Sequence, residues 1–122
     1  MAKKILIADD EPNIVISLEF LMKREGFDVT VATDGEEAVN RIRGDRPDLV
    51  LLDVMMPKKS GFEVCQEIKA DPELQSTRIL MLTAKGRDTE VSKGLALGAD
   101  AYMTKPFSTK ELVERVRSML EN

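Results

Sequence analysis

Several short apolar runs of the sequence end in polar side chains that could do chemistry together. These side chains are Asp9, Asp10, Asp53, Thr83 and Lys105. Three carboxylates in one pocket repel each other, so they need a cation. Carboxylate oxygens with open coordination positions suit Mg²⁺, which also accepts phosphate oxygens, and Mn²⁺ takes similar ligands. A lysine ammonium and a threonine hydroxyl can both contact the oxygens of a phosphoryl group.

This set of residue types favours transfer of a phosphoryl group to a carboxylate. An ionised Asp53 could attack phosphorus in line and become an aspartyl phosphate, with the metal and the lysine offsetting charge on the transferred group. An ionised carboxylate needs no general base, so the absence of histidine from the sequence is no obstacle. That absence excludes histidine-based acid–base catalysis and most zinc sites.

Short apolar segments predict the strands that must position these residues. Continuous apolar runs at 5–8, 49–52 and 79–82 suit strands that are covered on both faces, as in a parallel sheet. Residues 29–31 and 101–103 predict two weaker strands. Each polar candidate therefore follows the carboxyl end of a predicted strand.

Amphipathic stretches between the strands predict five helices. The first covers 14–22, with Gly26 as its C-terminal stop. Asp34 followed by Glu37 predicts the start of the second, and Ser108 followed by Glu111 predicts a capping box at the start of the fifth. Apolar positions mark the third helix at Val64, Cys65 and Ile68, and the fourth at Val91 and Leu95.

Alternating strands and helices predict one α/β domain over residues 1–122, a length typical of a single compact domain. The order implies a five-stranded parallel sheet with helices on both faces. A flavodoxin-like three-layer α/β/α sandwich with strand order 2-1-3-4-5 fits best, and it makes strands one and three neighbours. Asp9, Asp10 and Asp53 should therefore meet at one edge of the sheet.

Composition bounds the possible environments and partners. Apolar residues form 43% of the chain and charged residues 33%, which is typical of a soluble globular protein. The net charge of −4 argues against direct binding of nucleic acid, because phosphates need a basic surface. The single cysteine, Cys65, excludes an intrachain disulfide. No apolar run is long enough for a signal core or a membrane span, so we expect a cytoplasmic protein without membrane contact.

Over essentially its whole length, the chain resembles a response-regulator receiver domain of two-component signalling. The matching motifs are the acidic pair Asp9-Asp10, Asp53 in the segment 51–57, the following Gly61, Thr83-Ala84 and Lys105-Pro106-Phe107. Each motif is weak alone. Five of them in the family's order, each at or just after a strand end, are highly specific.

The resemblance implies a switch that is phosphorylated, rather than an enzyme that turns over a substrate. Asp53 would accept the phosphoryl group from a sensor histidine kinase or a phosphotransfer protein. Asp10 and Asp53 would bind Mg²⁺ directly, the backbone carbonyl of Met55 would be a third protein ligand, and Asp9 would act mainly through water.

The resemblance also implies how the switch works. Thr83 and Lys105 would bind the phosphoryl group, and the Lys105–Pro106 peptide bond is expected to be cis. Thr83 would move toward the phosphoryl group and Tyr102 would turn inward. Helix four, strand five and helix five would then present an altered surface to an output domain or a downstream protein.

The same surface carries the dimer contacts of receivers in the winged-helix transcription factor class. Two of their three charged pairs are available here, Lys93 with Glu111 and Asp100 with Arg115. The third is broken, because Ala101 and Asn122 replace the usual acid and base. We therefore expect a monomer or a weak, phosphorylation-dependent dimer.

Two other functions fit parts of the pattern. An aspartate-nucleophile phosphatase of the dehalogenase-like class would need a second acid two residues after the nucleophile, where this chain has Met55. A flavin-binding module on the same fold would need aromatic or hydroxyl-rich loops, but the chain has four Phe, one Tyr and no Trp. The sequence is compatible both with a complete single-domain regulator and with the receiver part of a longer protein.

Overall fold

The structure is a computed structural model that describes residues 2–84 and 88–121. Five strands and five helices alternate along the chain, as predicted. They are β1 (Lys4–Ala8), α1 (Pro12–Arg24), β2 (Asp28–Ala32), α2 (Gly35–Asp45), β3 (Leu49–Asp53), α3 (Gly61–Lys69), β4 (Arg78–Ala84), α4 (Asp88–Ala96), β5 (Ala101–Lys105) and α5 (Thr109–Leu120). None of the described helices has the length and apolar character needed to cross a bilayer.

All five strands are parallel and form one sheet in the order β2-β1-β3-β4-β5, which confirms the predicted topology. The register places Ala8 opposite Leu52, Asp53 opposite Leu82, and Ala84 opposite Lys105. The carboxyl ends of β1, β3, β4 and β5 therefore lie at one edge of the sheet.

Helices cover both faces of the sheet, so the central strands are buried except at some of their end residues. Every residue of β3 is buried. One face carries Leu6, Val50, Leu52, Ile79 and Met81 against α2 and α3, and the other carries Ile5, Ile7, Leu49, Leu51, Leu80 and Leu82 against α1 and α5. Each such side chain stabilises the fold by about 1.5–3 kcal/mol relative to an exposed one. The predicted three-layer sandwich is confirmed.

Individual residues account for the end of α1 and the start of α2. Gly26 has φ 93°, a left-handed conformation that favours glycine, and its N–H donates to the carbonyl of Lys23. Asp34 accepts a hydrogen bond from the backbone N–H of Glu37 at 2.7 Å. The Glu37 carboxylate in turn accepts from the N–H of Thr33, also at 2.7 Å, one residue before the usual partner of a capping box.

The capping box expected at α5 is half formed. Ser108 accepts from the N–H of Glu111 at 3.0 Å, but the side chain of Glu111 makes no return bond to residue 108. The complete capping box lies at α3, where Ser60 and Glu63 bond each other's backbone N–H groups. Both helices gain a first-turn acceptor for their free N–H groups.

Helix α4 packs differently from the prediction. Leu95 is 44% exposed, and the buried residue of this helix is Gly94, which lies against Met81 and Phe62. The ammonium of Lys93 lies 4.6 Å from the centroid of the Phe62 ring, a second contact between α4 and α3. The helix therefore rests on the sheet through a glycine rather than through a stripe of large apolar side chains.

Candidate metal and phosphoacceptor site

The strand ends bring three carboxylates and one ammonium together. One carboxylate oxygen from each of Asp9, Asp10 and Asp53 lies within 4.8 Å of the other two. Lys105 Nζ lies 3.0 Å from Asp9 Oδ2 and 3.3 Å from Asp53 Oδ1. Asp9 and Asp10 come directly after β1, while Asp53 and Lys105 are the last residues of β3 and β5. The parallel topology alone accounts for this meeting of residues that are far apart in sequence.

Asp9 is fully buried and both of its carboxylate oxygens have donors. Oδ1 accepts from the backbone N–H of Glu11 at 3.0 Å, and Oδ2 accepts from the ammonium of Lys105 at 3.0 Å. Its own N–H donates to the carbonyl of Ala32. Asp9 therefore holds Lys105 in place and has little capacity left for another ligand.

Asp10 and Asp53 are more open to a cation. Asp10 is exposed, and the side chain of Asp53 is 12% exposed with Oδ1 accepting from Lys105. Within residues 2–84 and 88–121, neither the carboxylate of Asp10 nor Oδ2 of Asp53 has a hydrogen-bond donor. These oxygens are of the kind that hard divalent cations bind.

Burial and neighbouring charges raise the pKa of Asp53 from 3.8 to about 6. Loss of hydration is the largest cause and the negative charge of Asp9 the second, while Lys105 opposes both. Burial acts to lower the pKa of Lys105, but its hydrogen bond to Asp9 and the charges of Asp53 and Asp9 raise it overall. At neutral pH the site therefore contains an ammonium and a carboxylate that a further cation would stabilise.

Asp10, Asp53 and Lys105 line an open cleft of about 410 Å³. Its walls are formed by Asp10, Glu11, Asp53, Val54, Met55, Leu82, Ala84, Glu90 and Lys105. The side chain of Met55 is 70% exposed at this cleft. Glu11 and Glu90 were not among the sequence candidates. Glu90 lies inside a helix rather than at a strand end, and no pattern in the sequence identifies it, because packing of Gly94 sets which face of that helix is buried.

The hydroxyl of Thr83 is not brought onto Asp53. Thr83 is 1% exposed, and its Oγ1 donates to the carbonyl of Met103 on β5 across a long 3.5 Å contact. Its neighbours Leu82 and Ala84 line the cleft instead. In this conformation, Thr83 therefore belongs to the β4–β5 contact rather than to the carboxylate cluster.

The remaining candidates lie in β5 and directly after it. The Lys105–Pro106 peptide bond is cis. Tyr102 is 41% exposed and lines a shallow groove with Glu111 and Arg115 of α5. Its side chain therefore lies on the surface formed by β5 and α5.

Close packing against the backbone at position 61 explains why a glycine follows the site in sequence. Its N–H donates to the carbonyl of Val54 at 2.8 Å. A Cβ added at this position would lie 2.9 Å from Val54 Cα and would collide with the backbone oxygen of Asp53. The first residue of α3 is thus pressed against the backbone that carries Asp53.

Comparison with known proteins assigns the chain to a family. The family model of the response regulator receiver domain matches residues 5–117. A protein of Chloroflexus aurantiacus described as a response regulator is 34% identical over 100% of both chains, with a TM-score of 0.96. A chemotaxis response regulator of Vibrio cholerae is 30% identical over 98% of this chain and 100% of that chain, with a TM-score of 0.92.

A third structure bears on the cleft. The receiver domain of a sensor histidine kinase from Pseudomonas aeruginosa, with magnesium coordinated in its active-site cleft, is 27% identical over 100% of both chains, with a TM-score of 0.92. None of these matches supports the phosphatase alternative. The chain therefore belongs to the response regulator receiver domain family, whose members are phosphorylation-activated switches of two-component signalling.

Proposed function

We propose that Asp53 accepts a phosphoryl group from a sensor histidine kinase or a phosphotransfer protein. Receiver domains in general act between histidine kinases and output domains. The observation that carries the proposal is the meeting of Asp10, Asp53 and Lys105 at one edge of the sheet, with Oδ1 of Asp53 3.3 Å from the lysine. A nucleophile, a charge partner and open ligand oxygens are then within reach of one phosphorus atom.

The same cleft is proposed to bind Mg²⁺, or Mn²⁺ in its place, through Asp10, Asp53 and the backbone carbonyl of Met55. The open oxygens of Asp10 and Asp53 support this assignment. Asp9 would act through water, since both of its oxygens already have protein donors. The magnesium in the cleft of the Pseudomonas receiver domain supports the choice of metal. Bound there, the cation would offset negative charge on the transferred phosphoryl group.

Asp53 and Lys105 have different roles in the proposed transfer. A carboxylate oxygen of Asp53 forms a bond to phosphorus while the bond from phosphorus to the donor's imidazole nitrogen breaks, and the imidazole leaves with the electron pair. Lys105 moves its hydrogen bond from Asp53 to an oxygen of the arriving group. Asp53 needs no base, because at neutral pH a carboxyl with a pKa of about 6 is mostly ionised.

The readout is proposed to pass through Thr83 and Tyr102. The long contact from Thr83 to the carbonyl of Met103 is a weak one to give up for a phosphoryl oxygen. Tyr102 is partly exposed, so packing does not fully hold its ring, which would turn inward as Thr83 moves. The surface formed by α4, β5 and α5 would then change and regulate an output domain or a downstream protein.

A monomer, or a weak dimer that depends on phosphorylation, is the proposed state in the cytoplasm. Asp100 accepts from the ammonium of Lys69 at 3.1 Å and from the N–H of Ile79 at 2.7 Å, so it is engaged within its own chain. Lys93 lies over the ring of Phe62. These contacts compete with two of the charged pairs a dimer would use, while Asn122 of the third lies outside the described residues.

Phosphorylation can be tested without mutating the site. The protein is incubated with Mg²⁺ and acetyl phosphate, and the intact mass is measured. Borohydride then reduces an aspartyl phosphate to homoserine, which peptide mass mapping locates. We expect homoserine at position 53. An adduct that maps to Asp9 or Asp10, or a wild-type protein that stays unlabelled, would contradict the assignment.

As the pH rises through about 6, the free energy of unfolding of the metal-free protein should fall, whereas the stabilisation by added Mg²⁺ should grow. Folding raises the pKa of Asp53 from 3.8 to about 6, so protonation of Asp53 stabilises the metal-free fold. This contribution is complete below pH 3.8 and is lost as the pH rises through about 6. Mg²⁺ binds the ionised form, so its stabilising effect should be largest above pH 6 and fade below it. Thermal melts with Mg²⁺ and with a chelator at about pH 5 and about pH 7 check this. An Mg²⁺ effect that is larger at the lower pH would be inconsistent with it.

A further inference from the structure

We infer that Glu90 selects against small dianionic phosphodonors at the Asp53 cleft. The inference rests on the proposed phosphorylation of Asp53 and adds a residue of α4 that controls which donors react. Glu90 lines the cleft together with Asp53, Met55 and Lys105. It contributes the α4 side of a space whose other walls come from the ends of β1, β3, β4 and β5.

The packing of α4 holds Glu90 in this position. Residues four apart lie on the same face of a helix, so Glu90 shares a face with Gly94. Gly94 is buried against Met81 and Phe62, which turns this face toward β4 and α3. One turn closer to the helix start, Glu90 lies beyond the carboxyl end of β4, on the cleft. The contact of Lys93 with Phe62 is a second anchor for the helix.

Among the described residues, the lining of the cleft includes four acidic residues, Asp10, Glu11, Asp53 and Glu90, and one cation, Lys105. Lys105 is already within 3.3 Å of Asp53 and has a second partner in Asp9. In the described parts of the chain, no lysine or arginine forms an ion pair with Glu90. Of the described residues, α4 therefore adds the negative charge of Glu90 to the cleft that a donor must enter.

A small phosphodonor meets this charge directly. When acetyl phosphate reacts, an oxygen of Asp53 forms the bond to phosphorus, the bond from phosphorus to the acetyl oxygen breaks, and acetate leaves with the electron pair. Acetyl phosphate is a dianion at neutral pH, so Glu90 repels it as it enters. Across several ångströms of water-exposed cleft, this repulsion slows the reaction by about threefold. A protein donor gains binding energy from contacts far from the cleft, which offsets such repulsion.

The test compares initial labelling rates of the wild-type protein, Glu90→Gln and Asp88→Asn with Mg²⁺ at neutral pH. Asp88 is the matched control, because it lies in the first turn of the same helix, is exposed and does not line the cleft. Both variants change the net charge equally. We expect Glu90→Gln to react about threefold faster with acetyl phosphate at low salt, and Asp88→Asn to stay near the wild-type rate. The gain should shrink at high salt and with phosphoramidate, a monoanion.

The outcomes separate this inference from the function on which it rests. Equal rates for Glu90→Gln and the wild type, or an equal gain in Asp88→Asn, would overturn it. A fall of about tenfold or more in Mg²⁺ affinity in Glu90→Gln would make Glu90 a metal ligand and overturn it as well. Slower loss of the phosphoryl group without any change in labelling would reassign Glu90 to the hydrolysis step. A wild-type protein that no donor labels would instead remove the proposed function itself, whatever residue stands at position 90.

Discussion

Asp53→Asn is expected to lose labelling by acetyl phosphate by at least about a hundredfold, because the neutral amide is a very poor nucleophile. The asparagine side chain has nearly the same shape as aspartate, so the fold should be kept. Initial rates followed by intact mass measure the loss. Asp28→Asn, which removes an exposed carboxylate at the opposite end of the sheet, is the matched control and should label like the wild type.

The same substitution should stabilise the metal-free protein at neutral pH. The raised pKa of Asp53 shows that its ionised form is disfavoured in the fold, chiefly by burial and by the charge of Asp9. A shift of this size corresponds to somewhat under 3 kcal/mol, and solvent screening of a carboxyl that water still reaches reduces the expected gain to about 1 kcal/mol. Urea unfolding with a chelator measures the gain. Destabilisation by Asp53→Asn under these conditions would mean that the carboxylate is favourable to the fold.

The effect of Mg²⁺ on stability tests whether Asp53 is also a metal ligand. Wild-type protein should gain stability on adding Mg²⁺, and Asp53→Asn should lose most of that gain together with the labelling. Asp28→Asn again serves as the control. If Asp53→Asn stopped labelling but kept the full Mg²⁺ effect, Asp53 would be the phosphoacceptor without being a metal ligand.

Gly61→Ala is expected to destabilise the protein by about 2–4 kcal/mol, at the upper end of single substitutions. The added methyl group would collide with the backbone oxygen of Asp53, which cannot move away as a flexible side chain could. Either the start of α3 or the end of β3 must shift, and the hydrogen bond from Gly61 N–H to Val54 is strained with it. Urea unfolding measures the change.

Gly44→Ala is the matched control for this prediction. Gly44 lies in α2, and a Cβ there would have no atom within 4 Å. Because alanine favours a helix over glycine, this variant should gain about 0.5–1 kcal/mol. Gly61→Ala should also weaken labelling of Asp53, since its collision displaces the backbone of that residue. Equal stability of the two alanine variants would show that the contact at position 61 is easily relaxed.

Continuous apolar runs were sufficient to predict the three central strands and the two-sided coverage of the sheet, and the strand order followed from the flavodoxin-like arrangement that suits five alternating strands. Such runs are stable only when helices cover both faces, and few connections of alternating strands and helices satisfy that requirement. The carboxylate cluster followed from the predicted strand ends and that order, which makes the strands before Asp9, Asp10 and Asp53 neighbours. Strand periodicity and polar strand ends are local properties, so a single sequence can carry them.

The features decided by tertiary packing are those in which a side chain chooses between partners. Lys105 bonds Asp9 as well as Asp53, and Thr83 turns to the carbonyl of Met103, because backbone and charge positions from four strands set the lowest-energy contacts. Helix α4 rests on Gly94 instead of Leu95, and this rotation brings Glu90 to the cleft. Apolar periodicity is weak in that helix, so its orientation depends on how Met81 and Phe62 fill the space beneath it.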